Sequence, residues 1–326
     1  MDKVVQRKKQ SVGLPCGRVN KEKAINKAHI EHALSLLPER YEFRQLLGQA
    51  GCGIIFSCND KVAKRQVAIK TCIRGVQSNL QMECEVMKAA KSCDHLVKLY
   101  EYITVNDTEY LIMQHLGDDL SKEVLSQPMK RYSPLKTTEV AVDLVSAVRE
   151  LHEIGYVHNN IKPSNVAFGQ FPDGHGKLYL FDYCLCRRTF SYLPSQSQWS
   201  PCSSRTHGTL QYLSIAAQMR RECTVWDDLE CVLYTLVELF SGSLPWSNLN
   251  GARAVLQSKR NFTVDGFIRG KLEPLTQLEQ YLKFCDRRTT PDYDVIIKYF
   301  SDYHEKLMKQ YDLVWDGIFT EEERKQ

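Results

Sequence analysis

The sequence predicts an α+β protein in two parts, a small antiparallel β-sheet with one helix followed by a mainly helical region. Two observations carry this. Between Tyr41 and Gln114 short β-prone runs alternate with glycine-containing turns, and after Gly117 the apolar residues change to helical spacing. A length of 326 residues suits one two-part domain with short extensions. Its 43% hydrophobic and 25% charged residues are the composition of a chain that buries a substantial core.

Residues 1–40 read as a basic N-terminal extension. Lys3, Arg7, Lys8 and Lys9 precede no apolar stretch, so the start reads as a solvated arm rather than a secretory signal. Ile30, Ala33, Leu34 and Leu37 form one helical stripe that Pro38 ends. Strands are predicted at Phe43–Leu47, Ile54–Cys58, Val67–Cys72, Tyr100–Val105 and Tyr110–Gln114. Between them the helix Leu80–Ala90 packs Leu80, Val86, Met87 and Ala90. This first part spans 41–116 and the helical part 117–305. In the latter, Thr137–Ile154 repeats Val140, Leu144, Val145, Val148 and Leu151 at helical spacing. Val166–Phe168 and Leu178–Phe181 make a hairpin around Asp173-Gly174. Thr189–His207 is rich in Ser, Gln and Pro without periodicity and reads as a mobile segment. Asp228–Phe240 is nearly all apolar and reads as a buried helix. Val295–Leu313 is the last helix, with 306–326 as a C-terminal helical extension.

A net charge of +4 is too mild to argue for nucleic acid, and no run reaches the roughly 18 apolar residues of a spanning helix. The twelve cysteines are scattered, with no C-x-x-C pair, and read as free thiols in a reducing compartment. The expectation is therefore an intracellular protein, cytoplasmic or nuclear, with no membrane and no nucleic-acid partner. Oligomeric state is not legible.

The chemistry sits in four motifs. His158-Asn159-Asn160-Ile161-Lys162-Pro163-Ser164-Asn165 follows the H-R-D-x-x-x-x-N catalytic loop of protein kinases, with Asn160 where the proton-accepting aspartate stands. An amide matches a carboxylate in size but is neutral, so it orients a hydroxyl without taking its proton. Gly48-Gln49-Ala50-Gly51-Cys52-Gly53 lies between two strands, as a phosphate-covering loop does, with Ala50 at the middle glycine position. Val67-Ala68-Ile69-Lys70 matches the strand whose lysine pairs with phosphates and a helical glutamate. Glu83 is the candidate partner and Glu85 the alternative. Phe181-Asp182-Tyr183-Cys184 stands where D-F-G belongs. Asp182 keeps the metal-binding carboxylate and Tyr183 the aromatic plug, while Cys184 replaces a glycine whose freedom helps the segment switch. His158 reads as a packing residue beneath the loop and Asp228 as the anchor of its backbone, with Lys162 placed for the γ-phosphate.

With these motifs in order, the chain resembles the casein kinase 1 superfamily, nearest its vaccinia-related kinase branch, over roughly 41–305. Met113-Gln114 before Leu116-Gly117 is similar to its hinge. Gly208-Thr209-Leu210-Gln211-Tyr212-Leu213-Ser214-Ile215 stands for A-P-E, and Asp227-Asp228-Leu229-Glu230, Gly242-Ser243-Leu244-Pro245-Trp246 and Pro291-Asp292-Tyr293 complete the match. The resemblance implies a bilobal protein kinase fold with ATP between the lobes. It implies nucleotide contacts from Leu47, Gly48, Ala50, Gly53, Ile55, Ala68, Lys70, Glu83, Met113 and Leu116, and Mg²⁺ held by Asn165 and Asp182. It also implies protein partners or substrates and a Ser/Thr-directed ancestry.

Three functions stand open. The leading one is a pseudokinase that binds ATP with Mg²⁺ and acts as scaffold or regulator. The others are a weakly active Ser/Thr kinase and an interaction module that binds no nucleotide.

Overall fold

The first part folds as a sheet whose two faces bury different partners. In the computed structural model the described residues are 27–50, 53–72, 80–170, 174–189 and 208–318. Helix α1 (Lys27–Ser35) precedes strands β1 (Tyr41–Ala50), β2 (Gly53–Asp60) and β3 (Arg65–Cys72). Helix α2 (Leu80–Ala89) follows, then β4 (Leu99–Val105) and β5 (Thr108–Gln114). The strands form one antiparallel sheet in the order β1-β2-β3-β5-β4.

Side chains alternate across a strand, and here the alternation sorts the core in two. Val67, Ile69, Tyr110 and Ile112 face outward with Phe56, and α1 covers them through Ala33, Ile30 and Leu34. Leu111 faces the other way, into the main core with Leu80, Val86 and Met87 of α2. The Tyr110 hydroxyl donates to the Ala33 carbonyl at 2.8 Å. So α1 is part of the packed lobe although it lies before residue 41, because the outer sheet face needs an apolar cover. The extension drawn to residue 40 is divided by this contact.

The helical part begins with β6 (Leu116–Asp119), α3 (Leu120–Ser126), α4 (Pro134–Glu153) and β7 (Tyr156–Val157). Then come β8 (Val166–Gly169), β9 (Leu178–Leu180) and β10 (Arg187–Arg188). Helices α5 (Ile215–Gln218), α6 (Val225–Ser241), α7 (Ala252–Arg260), α8 (Val264–Ile268), α9 (Glu273–Phe284) and α10 (Tyr293–Ile318) complete it. Helix α4 starts earlier than its apolar periodicity, because Ser133 caps it and Pro134 suits a first turn that needs no amide donor. Helix α6 is buried on every side and forms the axis of this lobe. It opens with a capping box, the Thr224 amide donating to Asp227 at 2.7 Å, and closes at Gly242 with φ +85°. Helix α10 runs through residue 306 without a break, so the boundary placed there falls inside a helix.

Two links join the lobes. A parallel bridge sets Leu96 beside Leu180, whose amide donates to His95 O at 2.9 Å, and the Val97 amide donates to Leu180 O at 3.4 Å. Among the described residues no helix is long and apolar enough to cross a membrane. Residues 190–207, nearly all of the segment expected to be mobile, lie outside the described residues, as do Gly51, Cys52 and Asp173.

Candidate functional site

A cleft of about 720 Å³ opens between the sheet and the helical lobe. Leu47, Gly48, Ile55, Ala68, Lys70, Glu83, Met113, Leu116, Lys162, Asn165, Asp182 and Tyr183 all line it. The alternation in β3 explains the first contact set: Val67 and Ile69 are spent on the outer core, so Ala68 and Lys70 must face the cleft. Sequence reasoning missed Val97 and the rim residues Asp118, Asp119, Ser121 and Lys122. Asp119 caps α3, accepting from the Ser121 and Lys122 amides, and its position after the hinge was the available signal.

Lys70 is the electrostatic centre. Its Nζ lies 2.6 Å from Glu83 Oε1 and 2.7 Å from Asp182 Oδ1, with the lysine only 2% exposed. Burial opposes its charge, but the two carboxylates more than offset this and hold the ammonium pKa above its ordinary value. Asp182 shows the converse: burial raises its pKa, Lys70 lowers it, and the net shift is downward. Glu85 points elsewhere, to Arg188 of β10 at 3.4 Å. The sulfur of Cys184 lies within 4.8 Å of the Glu83 and Asp182 carboxylates, and burial pushes its thiol pKa up.

The loop at 158–165 is hung from α6. Asp228 accepts the backbone amides of His158 at 2.6 Å and Asn159 at 2.8 Å, and contacts His152 Nε2 at 2.9 Å. Asn159 takes the left-handed region with φ +63°, which asparagine tolerates, and its amide donates to Leu185 O. His158 is fully buried. Its Nε2–H donates to Phe181 O at 3.1 Å and its Nδ1 accepts from the Asn160 amide at 3.2 Å, so the ring is neutral with both nitrogens occupied. Burial lowers its pKa. Lys162 Nζ donates to Thr209 Oγ1 at 3.0 Å, and Asn165 Nδ2 donates to Asn160 O at 2.8 Å. With its nitrogen spent, Asn165 has only Oδ1 for a cation. That oxygen and the Asp182 carboxylate are hard oxygen donors of the kind Mg²⁺ takes. Gly208 closes over the loop at φ +104°, where a Cβ would meet Leu213 at 2.8 Å and Asn160 Oδ1 at 3.6 Å.

The glycines that flank the glycine loop differ in their surroundings. A Cβ on Gly53 would lie 2.5 Å from the Thr71 carbonyl of β3, whereas one on Gly48 would meet nothing within 4 Å. Gly53 is therefore demanded by strand packing. Ala50 ends β1 opposite Gly53.

The protein kinase domain model matches residues 41–301. The chain belongs to the protein kinase family. It is 27% identical over 278 residues to the "Probable serine/threonine-protein kinase" of Dictyostelium discoideum, covering 84% of this chain and 55% of that protein. It is 29% identical over 232 residues to the "Putative casein kinase I" of Caenorhabditis elegans, covering 70% and 67%. The chain thus spans about half the length of the first relative. Protein kinases need the strand lysine paired with the helical glutamate and the D-F-G aspartate in place. In this kinase domain all three groups already meet, while in the catalytic loop the amide at 160 stands in the aspartate position.

Proposed function

We propose that this protein is a pseudokinase that binds ATP with Mg²⁺ and acts through protein contacts as a scaffold or regulator. One observation carries the reading: a closed Lys70–Glu83–Asp182 constellation stands beside a catalytic loop without a proton acceptor. Among the described residues His158, Asp228 and Asp182 do not fill that gap. His158 has both nitrogens engaged, Asp228 is held by two backbone amides and His152, and Asp182 holds Lys70. Losing a general base costs about 10²–10⁴-fold, roughly 3–5 kcal/mol, and leaves nucleotide binding in place.

In this reading Lys70 neutralises the phosphates, Asn165 and Asp182 hold Mg²⁺, and Lys162 stands ready for the γ-phosphate. When bound there, the metal would neutralise negative charge on the phosphates. Asn160 orients an acceptor hydroxyl without removing its proton. The likeness to the casein kinase I relative, with the 208–215 segment and Asp182-Tyr183, supports the casein kinase 1 superfamily and its vaccinia-related branch. Partners are proteins, and the compartment is intracellular.

The second reading is a weak Ser/Thr kinase. It is favoured by the Lys162–Thr209 and Asn165–Asn160 hydrogen bonds, which keep the rest of the loop formed. Radiolabelled transfer from Mg-ATP to casein and to the protein itself separates the two, with Asp182→Asn as control. No transfer is expected, together with a rise in Tm on adding Mg-ADP. Transfer that vanishes in the control establishes the second reading. An unmoved Tm at millimolar nucleotide removes the nucleotide part of the first.

A further inference from the structure

We propose that Tyr183 and Cys184 lock the metal-binding turn with Asp182 inward. The cleft then takes nucleotide-shaped ligands and excludes any ligand that must displace the Tyr183 ring. This rests on the nucleotide reading above and adds the ligand class that the site admits.

Tyr183 is fully buried beside α2, edge-on to His158 with ring centroids 5.8 Å apart. A phenylalanine in this place is held by packing alone. The tyrosine hydroxyl adds two bonds: it donates to Leu180 O at 2.6 Å and accepts from Val97 N at 3.1 Å. Val97 lies just ahead of β4 and Leu180 ends β9, so one hydroxyl ties the two lobes where the turn would have to open. Swinging the ring into the cleft breaks both bonds. It carries the phenol toward Ala68, Ile55 and Met113, whose side chains offer no strong hydrogen-bond partner.

The backbone opposes the same motion. Asp182 sits in the left-handed region, φ +69° and ψ +68°, and its carboxylate is fixed by Lys70 at 2.7 Å. The next pivot, where glycine would turn freely, is Cys184. Its sulfur is packed within 4.8 Å of the Glu83 and Asp182 carboxylates, so turning the chain there pulls the thiol out of that cluster. Hydroxyl, thiol and ion pair thus all hold one conformation.

The test is thermal denaturation of the full chain with two probes. One is Mg-ADP. The other is a diaryl urea with a hinge-binding heteroaromatic ring, whose far aryl group needs the volume of the Tyr183 ring. The urea is expected to leave the Tm of the unaltered chain unmoved and to raise that of the Tyr183→Phe, Cys184→Gly double variant, with an affinity gain of about tenfold or more. A shift in the unaltered chain overturns the proposal, and so does the lack of one in a folded double variant. Mg-ADP on the unaltered chain reports separately on the nucleotide reading. Should the double variant not fold, Tyr183→Phe alone keeps the ring, and amide exchange at Val97 becomes the readout. Exchange faster by about tenfold supports the lock, and unchanged exchange overturns it.

Discussion

The side-chain amide of Asn165 donates to the backbone carbonyl of Asn160 at 2.8 Å. Asn165, proposed above as a metal ligand, therefore also shapes the loop at the missing aspartate, and it does so through backbone. This bond does not depend on which side chain residue 160 carries.

Asn160→Asp is accordingly expected to restore a base to a loop already in shape. If positioning alone now supports transfer, single-turnover labelling of casein should rise by about 10²-fold or more. An unchanged rate in the folded variant would mean that something besides the base is missing.

Lys70→Met leaves Glu83 and Asp182 facing each other in a buried site without their cation. Removing one partner of such a cluster costs about 3–5 kcal/mol. Urea denaturation should show a lower midpoint, and the loss should shrink when Glu83→Gln is added, because the uncompensated charge is then gone.

His158 predicts a pH dependence near neutrality. Its folded pKa is lowered by burial, against the opposing pull of the Asp228 and Asp182 carboxylates. A depressed pKa means that stability is complete above the unfolded value of about 6.5 and is lost as pH falls through the folded one. The unfolded chain then takes up a proton that the folded one refuses. The loss reaches up to about 1.4 kcal/mol per pH unit. Comparing unfolding free energies of His158→Phe and the unaltered chain at pH 7 and pH 5 isolates it: the variant should fall less.

Gly53→Ala should destabilise by about 1–3 kcal/mol, because its methyl meets the Thr71 carbonyl at 2.5 Å and spreads β2 from β3. Gly48→Ala, with open space around it, should leave the urea midpoint nearly unmoved. Equal effects would contradict the strand-packing role assigned to Gly53.

Removing residues 1–37 strips α1 from Phe56, Val67, Ile69, Tyr110 and Ile112. The loss should be about 2–3 kcal/mol or more, the worth of one or two buried aliphatic side chains. Dye binding to exposed apolar surface should rise with it. A shortened chain as stable as the full one would show that the outer sheet face needs no cover.

Much of this was legible in the chain. The five strands fall where β-prone runs and glycine turns place them; α4 follows its apolar periodicity, since burial selects residues by face, and α6 follows its nearly unbroken apolar run, since it is buried all round. The helices start earlier, at Pro134 and Val225, than their apolar stretches, because capping residues lie outside those stretches. Lys70, Glu83, Asp182 and Asn165 were legible from motif order. Thr209 was read only as part of a segment, though it holds Lys162 from 47 positions away.

The sequence by itself determined the family, the order of the site residues and the amide at 160, since these are matters of residue type and spacing. Only the tertiary structure decided that Lys70 is shared by Glu83 and Asp182, that His158 is spent on both nitrogens, and that Tyr183 bonds across the lobes. Each of these depends on distances between residues far apart in the chain. Hydrogen bonds form only when donor and acceptor come within about 3 Å at a suitable angle. Packing sets such distances, and local sequence does not record them.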